Sequence, residues 1–140
     1  MQLGTFGAIL KYGTEIEDAA ATYYDKLGAK AGGEAKSLIF DLSNGSRKNK
    51  QTLERTRRME MQEMILEAIT GLDTVNYDCS PDLPEDLRAG MSKAIDMEQR
   101  ASHFYTDAAS KLGFLGNVKR TLEKLARDRE ERAKKLQALS

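Results

Sequence analysis

The stretch EDAAATYY, residues 17–24, returns as EQRASHFY at 98–105, and this doubling organises the chain. Glu17, Ala20 and Tyr24 fall on Glu98, Ala101 and Tyr105 at a constant offset of 81. Further along, Ile39, Leu42 and Leu53 fall on Leu122, Leu125 and Leu136 at an offset of 83, as a second copy with a slightly longer turn requires. A repeat of this length made of heptad-spaced residues is a helical hairpin occurring twice. The spacing predicts helices over about 6–30, 34–70, 85–112 and from there to the end after a break, with breaks at AGG (31–33) and GFLGN (113–117). Between the hairpins runs GLDTVNYDCSPDLP, 71–84, which holds both prolines and is long enough to cross the molecule. The expectation is an all-α, antiparallel four-helix bundle of two hairpins joined by a crossover loop, forming a single domain over 1–140.

Composition agrees with long helices and narrows the function classes. At 140 residues the chain is long enough to bury a core, about 68–70% of its unfolded surface. Charged residues make up 31% and the formal net charge is zero, which gives no global electrostatic case for nucleic acid or an acidic membrane. A lone cysteine, Cys79, excludes an internal disulfide framework and fits a reducing compartment. The opening residues MQLGTFGAILKYG lack the pattern of a secretory leader, and no run is apolar enough for a membrane span. The expected location is cytoplasmic.

The seams carry a polar interruption. Helix 1 reads Leu10, Gly13, Glu17, Ala20, Tyr24, Leu27, and helix 3 reads Met91, Ala94, Glu98, Ala101, Tyr105, Ala108, Leu112. Helix 2 presents Ile39, Leu42, Ser46, Asn49, Leu53, and helix 4 presents Leu122, Leu125, Arg129, Arg132, Leu136. A carboxylate or guanidinium buried alone is very costly, so the four interruptions are expected to meet in one polar layer.

These motifs resemble the ferritin-like, rubrerythrin-type bundles. The resemblance rests on E-x-x-A-x-x-[FY]-Y at 17–24 and 98–105, and on LARDREER at 125–132, similar to a family helix of the form L-A-E-E-E-x-E-H. It implies the bundle fold and a di-iron site used for peroxide reduction, oxygen chemistry or iron oxidation. Such a site takes one Glu from each of two helices and Glu-x-x-His from each of the others. Glu17 and Glu98 match the single glutamates. The two Glu-x-x-His positions fall on Ser46-x-x-Asn49 and Arg129-x-x-Arg132, so four of six ligands are replaced. The sole histidine, His103, lies about 140° around the helix from Glu98, on the solvated side.

The charges suggest what replaced the metals. Two carboxylates face two arginines, whose planar forks can bind carboxylates bidentately and stay charged. Tyr24 and Tyr105 are expected to be core residues with hydroxyls reaching this layer. No cofactor is then expected, and the chain reads as a non-catalytic binding or structural module. Against this stand arginines that snorkel to solvent, and an unfamiliar metal site recruiting Glu130, Glu131 or Glu54, with iron as cofactor and oxidoreductase or iron-handling chemistry.

Three further stretches admit both a chemical and a structural reading. MEMQEM, 59–64, with Met91 and Met97, suits a homodimer surface better than a Cu(I) site. SRKNKQTLERTRR, 46–58, has six positive charges to one negative, but these point around the helix with no aromatic residues between them. It reads as a solvated face balanced by Glu60, Glu63 and Glu67, so nucleic acid is not the expected partner, and no protein partner can be named. SNGS, 43–46, is a weak helix interior where helix 2 could kink or break.

Overall fold

The computed structural model describes residues 1–60 and 69–139. Four helices, α1 (Phe6–Lys30), α2 (Gly33–Glu60), α3 (Leu87–Lys111) and α4 (Gly116–Leu139), build two antiparallel hairpins, α1 with α2 and α3 with α4. The hairpins then pack α1 on α3 and α2 on α4, leaving α1 diagonal to α4. This is the ferritin-like bundle arrangement.

Local chemistry sets the boundaries. The Thr5 hydroxyl accepts from the Ala8 amide at 3.1 Å and starts α1; the Asp86 carboxylate does the same for α3 through Ala89 at 3.3 Å. Asp86 as the cap moves the start of α3 to Leu87, two residues later than the expected Glu85. Gly33 turns the first hairpin with φ of +61°, a conformation open to glycine. The expected extension of helix 2 to Thr70 does not hold at its end: Ile69 and Thr70 are not helical, Ile69 donates to the Gly4 carbonyl, and Gly71 turns the chain with φ of +81°. Met61, Glu63, Met64 and Glu67 lie outside the described residues. Within α2 the SNGS stretch is continuous helix, its serines engaged by neighbours rather than by their own backbone.

Two apolar clusters form the core, one at each end of the bundle. Phe6, Leu10, Leu53, Phe104, Leu112 and Leu122 belong to the first. Tyr24, Leu27, Ile39, Leu42, Met91 and Leu136 belong to the second. Polar residues of all four helices lie between them.

Tyrosines stitch the hairpins and the crossover together. Tyr12 donates to Asp78 of the crossover, Tyr77 of the crossover to Asp107 at 2.6 Å, and Tyr23 to the Gly90 carbonyl at 2.7 Å. Tyr24 donates across to Glu98, and Tyr105 to Glu17. The crossover is further held by a short 3-10 turn, Thr74–Asn76, capped by Asp73.

Every tyrosine is therefore held protonated. Burial, then the Asp78 bond, raises Tyr12; burial and Asp107 raise Tyr77; burial pushes Tyr23 up to about 12. Burial and the facing glutamates raise Tyr24 and Tyr105 well above the ordinary value. Above pH about 10 the unfolded chain loses protons that the folded chain keeps, so stability falls as pH rises beyond that point. In a tyrosinate absorbance titration the five tyrosines should stay silent through pH about 10 and ionise at higher pH, most of them together with loss of helical circular dichroism. A tyrosine titrating reversibly near 10 with helicity intact would show that its hydroxyl is open to water.

Candidate functional site

The polar layer is assembled from seam positions. Glu17 comes from α1, Glu98 from α3 and Arg129 from α4; the carboxylates are fully buried and Arg129 is 1% exposed. Arg132, one turn further along α4, is 4% exposed, and Ser46 of α2 is fully buried. Asn49 is half-buried, at the rim.

Arg129 stands at the centre. Its Nη1 donates to Glu98 Oε1 at 2.7 Å, and its Nη2 makes an ion contact with Glu17 Oε1 at 2.7 Å without an aligned hydrogen bond. The fork does not take one carboxylate in bidentate fashion. It spends one amino group on each of two carboxylates and so bridges α4 to α3 and, diagonally, to α1. The tyrosines complete this geometry from the apolar sides: Tyr24 donates to the same Glu98 oxygen, and Tyr105 to Glu17 Oε2. Burial alone would lower the affinity of Arg129 for its proton, but Glu17 and Glu98 outweigh it and hold the guanidinium well above its ordinary pKa.

Arg132 has a different role from Arg129. Its Nη1 donates to Ser46 Oγ at 2.8 Å, its Nε lies 3.1 Å from Asp128 Oδ2, and Glu98 is 3.8 Å away. Asn49 donates to the same Asp128 oxygen at 3.2 Å and to Glu17 Oε1 at 3.4 Å. From spacing alone the two arginines are equivalent partners of the two glutamates. The structure instead gives Arg129 both carboxylates and gives Arg132 a serine and an aspartate.

Two members were missed. Asp128 sits four residues before Arg132, the spacing at which helix side chains meet, and this was the available signal. Gly45 makes the room: a Cβ there would lie 2.7 Å from Arg132 Nη2. Its signal was a glycine inside a helix, at the repeat position corresponding to Asp128.

The other candidates lie elsewhere. His103 is exposed, and Cys79 is partly exposed beside Tyr23 and Met97 in a crevice under the crossover. Met91 is core and Met59 is 68% exposed. Two basic residues of α2 find partners on α1: Arg47 pairs with Asp25, and Lys50 with Asp18 at 2.9 Å.

The donor set does not fit a di-iron carboxylate centre. Such a centre takes four carboxylates and two imidazoles converging from the four helices. The layer offers Glu17 and Glu98 with a guanidinium seated between them, plus Asp128 at the rim, already engaged by Arg132 and Asn49. Among the described residues no three His, Cys, Asp or Glu side chains are grouped so as to hold a metal ion.

No family model matches this chain, and no curated protein matches it. Its structure is similar to the crystal structure of a Thermotoga maritima protein provisionally described as a ferritin-like diiron-carboxylate protein, with a TM-score of 0.79. The match covers 99% of this chain and 94% of that one at 19% sequence identity, so what the two have in common is the ferritin-like four-helix fold.

Proposed function

We propose that this chain is a ferritin-like bundle that has given up its di-iron site, with a Glu–Arg layer in its place, and that it serves as a binding or structural module rather than a redox catalyst. The observation that carries this reading is the fully buried Arg129 guanidinium, 2.7 Å from a carboxylate of each hairpin. Elsewhere in the fold two divalent ions neutralise four carboxylates. Here the Arg129 guanidinium lies between the two that remain, and Arg132 beside it pairs with Asp128. The helix-joining role of a metal centre then passes to Arg129, and a metal ion entering between Glu17 and Glu98 would have to displace a fixed cation.

One observation favours the second reading, an atypical metal site with oxidoreductase or iron-handling chemistry. Among the described residues Glu98 Oε2 is buried with no hydrogen-bond partner, a state that a bound cation would relieve. Iron loading separates the two. After anaerobic Fe(II) loading and desalting, the parent should retain no iron, while Arg129→Glu/Arg132→His, which restores donors at both positions, should retain some. About two irons per parent chain would sink the metal-free reading and establish the second.

The layer also predicts stability. Glu98→Ala leaves Arg129 short of a partner in a dry interior and should cost about 3–5 kcal/mol in urea denaturation. A loss under 1 kcal/mol, typical of exposed pairs, would mean that water reaches the guanidinium.

Gly45→Ala reverses a familiar sign. At an exposed helix position the change gains about 1 kcal/mol. Here the new methyl strikes Arg132 and should give a net loss of about 1 kcal/mol, read as a lowered melting temperature. A raised one would show that Arg132 leaves its place at no cost.

A further inference from the structure

The two hairpins, alike in sequence, differ on their outer faces. Between α1 and α2 that face is closed from within. Phe40 lies over Gly28, where a Cβ would come within 2.9 Å of the ring. The Arg47–Asp25 and Lys50–Asp18 ion pairs cross from one helix to the other. Carried through the repeat, Phe40 becomes Glu123, Gly28 becomes Ala109, Asp25 becomes Thr106 and Arg47 becomes Glu130. The large ring and the cross-helix ion pairs are gone. What remains between α3 and α4 is an open groove floored by Ser102, Ala109, Ala126 and Ala133.

Along its edge α4 carries Glu123, Arg127, Glu130 and Lys134, spaced four, three and four residues apart and so on one side of the helix. None of the four has an ion-pair partner among the described residues, although buried Arg129 and Arg132 beside them are both ion-paired. Read forward the row is minus, plus, minus, plus. Laid antiparallel on a copy of itself about the midpoint between 128 and 129, it puts Glu123 opposite the partner's Lys134 and Arg127 opposite the partner's Glu130. The two-fold axis repeats both pairs. Each of the four charges thus meets its opposite over about 18 Å of helix. The α3 side of the groove adds Thr106 and Ser110 towards one end and Gln99 and His103 towards the other, none of them an acid, a lysine or an arginine to oppose the row. Lys119 falls beyond the paired row, at the rim.

We propose that the α3/α4 groove is a homodimer interface, occupied by a second copy of this chain with the two α4 helices antiparallel. A two-fold interface must be complementary to itself, and this charge row has that property. The α1/α2 face, whose charges are already paired across its own helices, offers no such row. The small side chains of the floor let the partner's α4 approach closely enough for the pairs to form. This interface is not the methionine-lined surface expected from sequence, since Met91 and Met97 pack with Ile39 and Leu42, at the other end of α2 from Met59, and it does not depend on whether the polar layer binds metal.

Sedimentation equilibrium of the full chain at low and high salt tests it. The parent should be dimeric at low salt, with a dissociation constant that rises with salt. Arg127→Glu and Glu130→Arg each set like charges face to face twice per dimer and should weaken association about tenfold or more. The double variant Arg127→Glu/Glu130→Arg should recover it, and an equimolar mixture of the two single variants should form heterodimers. Helical circular dichroism should be unchanged throughout, since both side chains are exposed. A monomeric parent, a dimer indifferent to either reversal, or a double variant that stays monomeric would each overturn the proposal.

Discussion

The guanidinium of Arg129, held between Glu17 and Glu98, governs how the rest of the bundle can be built. A cation taken out of water needs opposite charge on every side that matters, and here that charge comes from two different hairpins. The hairpins therefore cannot slide or separate without exposing an uncompensated charge to an apolar interior. Apolar seams alone would tolerate such a slip, because leucine against leucine is indifferent to register by one heptad. The layer supplies register, and the two apolar clusters flanking it supply most of the burial.

The tyrosines extend that constraint outward. Tyr24 belongs to one cluster and Tyr105 to the other, yet each reaches the carboxylate on the opposite hairpin. The crossed pair satisfies carboxylate oxygens without adding charge, which matters because Arg129 and Arg132 are already matched with Glu17, Glu98 and Asp128. Protonated phenols suit this place: burial and the facing carboxylates both oppose ionisation, so the donors remain donors wherever the fold survives. Among the described residues Glu98 Oε2 and Arg129 Nε have no hydrogen-bond partner, and Arg129 Nη2 has only its ion contact with Glu17.

Much of the fold was legible because it follows from period. Heptad spacing marked the four seams, and the doubled motif with one long connection marked two hairpins. Boundaries were read less well where a single side chain decides them, as Asp86 does for α3. In the layer, spacing could place Arg129 and Arg132 on one face, but not say which would reach the carboxylates. That depends on the height of α4 against α1 and α3, a quantity outside the α4 sequence. The roles of Gly45 and Asp128 were hidden for the same reason, since each acts on Arg132 only once α2 and α4 lie side by side. Likewise, Arg47 and Lys50 looked like part of a free basic face because Asp25 and Asp18 lie on another helix.

The broken symmetry of the repeat follows from volume as much as from charge. Were both hairpins to carry arginines at the positions of Arg129 and Arg132, four guanidinium groups would meet two carboxylates in one dry layer, an excess that no surrounding group could balance. With the arginines confined to α4, the matching positions on α2 must be small or neutral, and Ser46 and Asn49 are both. Gly45 goes further, removing even a methyl from the path of Arg132. The α2 side of this layer is thus shaped by the side chains arriving from α4. Once the halves differ in this way inside, nothing holds them alike outside. The same divergence that seats Arg129 leaves one outer face closed by Phe40 and its neighbouring ion pairs, and the other open beside a row of unspent charge.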